Sequence, residues 1–249
     1  FEPGKDIEIV YTGIRPGAWG AIWHELVSRA AFIGTTPRDE WGLWGINVYA
    51  NQRHLLFGLS LLLVVLLLIL PDQQAGSGVS LREKWLSPTG WLTKDRSDWR
   101  RIGLAAAICA LMPYWHGSAL IALLLVLLPL ALSSVNRLGF LLIAAVSFLS
   151  ALGQSWIFSG QATRVIQPSL YVGFIAPEHS PAGILAYLLL VTGAALPLLA
   201  VAFWLPGLRR KRMIISFMLP LVFAFTVSLT PDVTVNHKFI ITGIALANI

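Results

Sequence analysis

Four consecutive polar residues, Asn51, Gln52, Arg53 and His54, stand at the entrance to a long apolar run. Arginine carries a planar fork of N–H donors that matches phosphate oxygens. At a helix N-terminus, free backbone N–H groups and the helix dipole favour an anion in the same place. A second cluster, Asn236, His237 and Lys238, opens the last apolar run just after Asp232. Between the two, His116 stands in the segment Pro113, Tyr114, Trp115, His116, Gly117 that separates two further apolar runs. Imidazole moves protons near neutral pH. Cationic groups at two helix mouths suit a diphosphate or phosphodiester head group. Each feature also has a plainer reading. Arg53 can snorkel at an interface, His116 can pack against Trp115, and Asp232 can start a turn after Pro231.

The elements that would carry these residues are written in the composition. Hydrophobic residues make up 56% of the chain and charged residues 12%, about half the charged share of an average soluble domain. About 20 mostly apolar residues cross the hydrocarbon of a bilayer. Seven segments approach or meet that length, at approximately His54–Leu70, Ile102–Trp115, Ser118–Leu132, Leu138–Ile157, Ala182–Leu205, Met213–Leu229 and Phe239 onward. The expected fold is therefore all-α: a polytopic membrane bundle of about seven transmembrane or partly re-entrant helices. The second and third segments are short and flank His116, so Pro113–Gly117 reads as a sharp turn between thinned or re-entrant helices. Residues 1–53 are polar and rich in Trp and Gly. They form a separate extracytoplasmic or interfacial segment, with a helix over Ala18–Phe32 that reads either as an amphipathic helix at the interface or as a small helix in an extramembrane loop. Phe1 opens the chain and Phe239–Ile249 stops inside an apolar run, so a piece of a longer protein is expected.

The basic residues set the orientation. With residues 1–53 outside, the connections facing the cytoplasm hold Arg82, Lys84, Lys94, Arg96, Arg100, Arg101, Arg137, Arg209, Arg210, Lys211 and Arg212, which is most of the 18 Lys and Arg. That is the bias that sets topology. All five histidines, His24, His54, His116, His179 and His237, then fall on or near the outer side. Gln154, Gln161, Arg164 and Gln167 could line the outer end of the fourth helix. The positive charge sits in short clusters between apolar runs rather than in a basic stripe with interleaved aromatics, so no nucleic-acid partner is expected. No P-loop, HExxH, GxSxG or paired CxxC occurs, which disfavours an ATPase, a zinc protease and an α/β-hydrolase. The one cysteine, Cys109, cannot form an intrachain disulfide.

Three stretches carry a family resemblance. NVYANQRHLLFG (47–58) resembles an N-x-x-x-x-Q-R-x-x-x-F-G stretch of bacterial polytopic GT-C glycosyltransferases. LMPYWHGSALIALLL (111–125) resembles their following Pro–His turn, and DVTVNHKFI (232–240) their later D-N-x-K-aromatic element. The three occur in the same order. Asn51 stands where a Pro is expected, and one His stands in the turn where two are common. The resemblance implies a membrane enzyme whose active site faces the extracytoplasmic side and uses sugars carried on polyprenyl phosphate or diphosphate. It also implies an essential carboxylate in the first outer loop, where Asp6, Glu8, Asp39 and Glu40 are available.

The resulting expectation is glycosyl transfer by direct displacement at the anomeric carbon. Asp232, His116 and His237 are the catalytic candidates, and Asn51, Gln52, Arg53, His54, Asn236 and Lys238 the substrate-binding ones. Arg53 and Lys238 would stabilise the departing phosphate, where negative charge develops. Mg²⁺ or Mn²⁺ is compatible with this chemistry but not implied by the residues. The partners are the bilayer and a lipid-linked sugar donor. A transporter or flippase would carry ionisable residues near mid-membrane and inverted repeats; neither is seen. A scaffold or sensor without chemistry would lack a polar outer site.

Overall fold

A computed structural model describes residues 53–70, 91, 96–134, 136–158, 168–173, 176, 178–229 and 234–249. Contacts group His54–Ile249 into one compact unit. Asn51, Gln52, Asp232, Gln161, Arg164, Gln167, the Ala18–Phe32 stretch and most of the 71–101 connection lie outside the described residues. Of Arg53, only the backbone is described.

The first helix, α1 (Arg53–Ile69), follows the apolar run that predicts it. Next comes α2 (Arg96–Ser133), 38 residues long and interrupted at one place. His116 alone leaves helical geometry, with φ −159° and ψ 91°. A straight helix of that length would separate its ends by about 57 Å. Yet the Leu138 N–H, just past the end of α2, donates to the carbonyl of Trp91, just before its start, at 3.0 Å. The element therefore doubles back at His116. The sequence expectation of a turn at Pro113–Gly117 is met, with the break confined to His116; of the two short helices expected, the first is longer than expected and the second, at 17 residues, remains short. The arms, 96–115 and 117–133, measure about 30 Å and about 26 Å. The first arm begins earlier than hydropathy indicates because Arg96–Arg101 are polar yet helical, with Asp98 in the first turn and paired to Arg101.

After a tight connection, α3 (Arg137–Phe158) starts where Asn136 caps it, the Gly139 N–H donating to Asn136 Oδ1 at 3.2 Å. Side-chain oxygens at this position satisfy a helix's free amides. The helix runs parallel to the first arm of α2: Ser150 Oγ donates to the Ala110 carbonyl, and Tyr114 meets Phe158 edge-on at 6.1 Å. Its outer face leaves Leu141, Phe148, Leu149, Leu152 and Trp156 exposed. A largely apolar helix with so apolar an exposed face has the character of a membrane span.

The fifth expected segment, Ala182–Leu205, is two helices: α4 (Pro181–Thr192) and α5 (Ala195–Trp204), turned 98° from each other. Gly193 sits at φ +54°, in the left-handed region, and Pro197 can neither donate to the Gly193 carbonyl nor pack against it in a continuous helix. The basic cluster Arg209–Arg212 lies in the first turns of α6 (Leu208–Thr226), which starts earlier than expected. The last helix, α7 (Thr234–Ala247), also begins earlier, so Asn236, His237 and Lys238 are helical. It returns antiparallel along α6, with Phe239 against Phe223 at 4.9 Å. One departure from all-α is a two-residue antiparallel pair, β1 (Ser169–Leu170) with β2 (Val227–Ser228), registered Ser169 to Ser228.

Hydroxyls along these helices bond within them: Ser147, Thr192, Ser216 and Thr242 each donate to the carbonyl four residues back. Among apolar neighbours, that is the partner always within reach. Two helical stretches, Ser97–Ser133 and Arg137–Phe158, are long and apolar enough to cross a membrane, and the bent α4–α5 pair would make a third. His54–Ile69 and Val235–Ala247 are apolar but shorter.

Candidate polar site at the histidine end

The described parts of the first two stretches singled out in the sequence pack together, and the third lies within electrostatic reach of them. Gly58 brings α1 against the turn of α2. A Cβ at Gly58 would lie 2.9 Å from the Ala119 Cβ and 3.0 Å from that of His116, closer than carbon atoms pack. With no side chain there, the His54 and His116 rings stack at 5.1 Å between centroids and 25° between planes. One turn further along, Phe57 meets Trp115 edge-on at 5.3 Å.

His116 does two jobs. Its Nδ1 accepts the backbone N–H of Ala119 at 3.1 Å and lies 2.9 Å from Ser118 Oγ. The ring thus caps the second arm of α2, in the manner of an Asn or Asp N-cap. A backbone N–H can only donate, so Nδ1 carries no proton while the cap is made, and the neutral ring holds its proton on Nε2. His116 is 6% exposed, and Nε2 is buried with no hydrogen-bond partner among the described residues. A buried N–H donor in that state is costly in the absence of a ligand.

The third stretch arrives on α7. Lys238 is half-buried and, with His54, near enough to His116 for its charge to act on the imidazole. His237 is buried beside it. Asn236 is fully buried, and its two amide protons go to the carbonyls of Ala224 at 3.0 Å and Val227 at 2.6 Å. Those bonds tie the start of α7 to the end of α6, and leave Asn236 with an acceptor, Oδ1, rather than a donor for an anion.

Other predicted residues are placed elsewhere or not described. His179 pairs with Tyr171, its Nδ1 2.8 Å from the phenol oxygen, and Gln154 is half-buried near the end of α3. Asn51, Gln52, the Arg53 side chain and Asp232 lie outside the described residues, as do Asp6, Glu8, Asp39 and Glu40. Among the described residues no three His, Cys, Asp or Glu side chains gather as metal ligands. No family model, curated protein or solved structure matches the chain.

What the arrangement can do chemically is read from its own residues. It offers a neutral imidazole donor at the α2 turn, a second imidazole from α1 stacked on it, and an ammonium group of α7 within electrostatic reach. Ser118 and Gly58 complete this arrangement. Gly58 is in the NVYANQRHLLFG stretch, but nothing in the sequence pairs it with His116, and nothing marks Ser118 as touching the ring. The opposite end holds Arg100, Arg101, Arg137 and Arg209–Arg212, because α2 and α6 start there and α6 and α7 run antiparallel.

Proposed function

We propose that this chain is a multi-pass membrane glycosyltransferase of the GT-C kind, transferring a sugar from a polyprenyl-phosphate-linked donor on the extracytoplasmic side. The observation that carries the reading is the stacked pair of His54 and His116 from two helices, with Lys238 of a third within electrostatic reach of the imidazole. The orientation rests on the basic residues, which gather at the other end as cytoplasmic loops do.

In this mechanism the donor's phosphate lies against Lys238 and the His116 Nε2–H, with Arg53 as a further cation. An acceptor hydroxyl attacks the anomeric carbon. Its proton passes to a carboxylate, for which Asp232 is the candidate, as the bond from carbon to phosphate oxygen breaks. The electron pair leaves with the phosphate, where a cation and a fixed donor stabilise developing charge. His116 acts as a hydrogen-bond donor rather than a base, since its other nitrogen is engaged in capping. His237 positions α7 or relays a proton.

The test is transfer of radiolabelled sugar from a polyprenyl-phosphate donor by protein reconstituted in liposomes. Transfer is expected, with Arg53→Ala and Lys238→Ala each lowering it at least about tenfold, in line with the loss of a group that meets transition-state charge. Wild-type rates in both variants would end this mechanism.

A further inference from the structure

At the basic end, away from the proposed active site, α5, α6 and α7 leave a cleft of about 270 Å³. A single water needs about 10–15 Å³ by this measure, so the cleft has room for a stretch of acyl chain, though it falls just short of the roughly 300 Å³ at which pockets enclosing a whole small ligand begin. Its two parts differ in chemistry. Arg209 and Arg210 stand at one side, and Met213, Ile214, Phe217 and Met218 continue from them down the same face of α6. From Arg210 to Met218 that face descends about 12 Å. Leu199 of α5 and Leu246 of α7 close it.

Both arginines are exposed, and none of the side chains lining the cleft is acidic. Arg210 makes one hydrogen bond, from Nη1 to the Pro206 carbonyl at 3.3 Å, which leaves its other donors directed elsewhere. The neighbouring Lys211 is engaged differently, with its ammonium 5.4 Å from the centre of the Phe203 ring. The cleft thus joins two guanidinium groups to an apolar channel. That is the chemistry of an anionic amphiphile, and basic pockets between membrane helices hold anionic lipid head groups for this reason.

We infer that the α5–α6–α7 cleft binds one anionic phospholipid, with its phosphate on Arg209 and Arg210 and an acyl chain along Met213, Ile214, Phe217 and Met218. The site is separate from the histidine end and stands whether or not the chain transfers sugar.

The test is intact-protein mass spectrometry from detergent, titrating phosphatidylglycerol, phosphatidylcholine or inorganic phosphate. Phosphatidylglycerol should bind at least about tenfold more tightly than phosphatidylcholine, and inorganic phosphate should not compete with it. Replacing both arginines with glutamine should weaken phosphatidylglycerol about thirtyfold, at roughly one head-group contact per arginine, and leave phosphatidylcholine unchanged. Phosphatidylglycerol carrying a diazirine in its acyl chain should label α6 between Met213 and Met218. Equal binding of the two lipids, binding untouched by the double substitution, or labels lying only outside the cleft would each overturn the inference. Full competition by phosphate would reduce the site to a surface anion contact and overturn it as well.

Discussion

Gly58→Ala tests whether the histidine end is assembled by close helix approach. The added methyl would meet the Ala119 and His116 Cβ atoms at 2.9 and 3.0 Å, against a comfortable carbon separation of about 3.5–4.0 Å. Neither obstacle is a flexible side-chain tip, so α1 must move. Such overpacking costs about 1–3 kcal/mol. The helix itself gains about 0.8–1.0 kcal/mol from Gly to Ala, leaving a net loss of between about 0 and 2 kcal/mol. Gly103→Ala is the matched control. It lies in the first arm of α2 with nothing within 4 Å of its would-be Cβ, so it keeps the helix gain without the clash. The two variants should differ by about 1–3 kcal/mol, or roughly 2–12 °C in Tm for a chain of this size. Cys109 supplies the assay, being the only cysteine and fully buried. A thiol-reactive fluorophore therefore reports unfolding in detergent. A Gly58→Ala protein that melts at or above Gly103→Ala would refute the close approach and, with it, the geometry of the His54–His116 stack.

Three further outcomes rest on named contacts. His116→Asn should melt close to wild type, because Asn is a strong N-cap, whereas His116→Ala should lose about 0.5–2 kcal/mol; both should lose sugar transfer, since neither keeps the Nε2–H donor. Asn236→Ala strips donors from one buried and one part-buried carbonyl and should cost about 1–3 kcal/mol, with Asn236→Asp worse because a carboxylate would face those same oxygens; thermal melts followed through Cys109 decide the order. Lys238→Met should raise the KM for a prenyl-phosphate sugar or lower kcat by at least about tenfold while leaving Tm within about 2 °C, as befits a half-buried group acting on charge; a matching fall in Tm would recast Lys238 as structural.

Hydropathy alone places α1 and α3 to within a residue or so, because each is an unbroken apolar run between polar stops. The reversal in α2 is legible from Pro113 to Gly117, although only His116 departs from helix. The break between α4 and α5 escapes hydropathy, since both halves are apolar and a sliding window sees one span; Gly193 and Pro197 are the available signal. Hydropathy sets the starts of α6 and α7 too late because their first turns are polar, and polarity marks the end of an apolar run rather than the end of a helix. The β1–β2 pair is too short to leave any periodicity. At the site, His54, His116 and Lys238 are recognisable by type and by their place at helix mouths. Their convergence depends on contacts across more than sixty residues of chain. The capping role of His116 depends on one Nδ1 lone pair, and the diversion of Asn236 into structure on two carbonyls of α6 and β2. No residue spacing encodes these.

Photolabelling tests the central claim most directly. A prenyl-phosphate sugar bearing a diazirine in its first isoprene unit would be applied to the reconstituted protein, with phosphatidylglycerol in excess to fill the basic cleft. Labels are predicted on peptides holding His54–Gly58, Tyr114–Ser118 and Asn236–Phe239, and they should fall together in Lys238→Met. Labels absent from all three peptides, or found on one and unaffected by Lys238→Met, would contradict the claim that these helices build a single site.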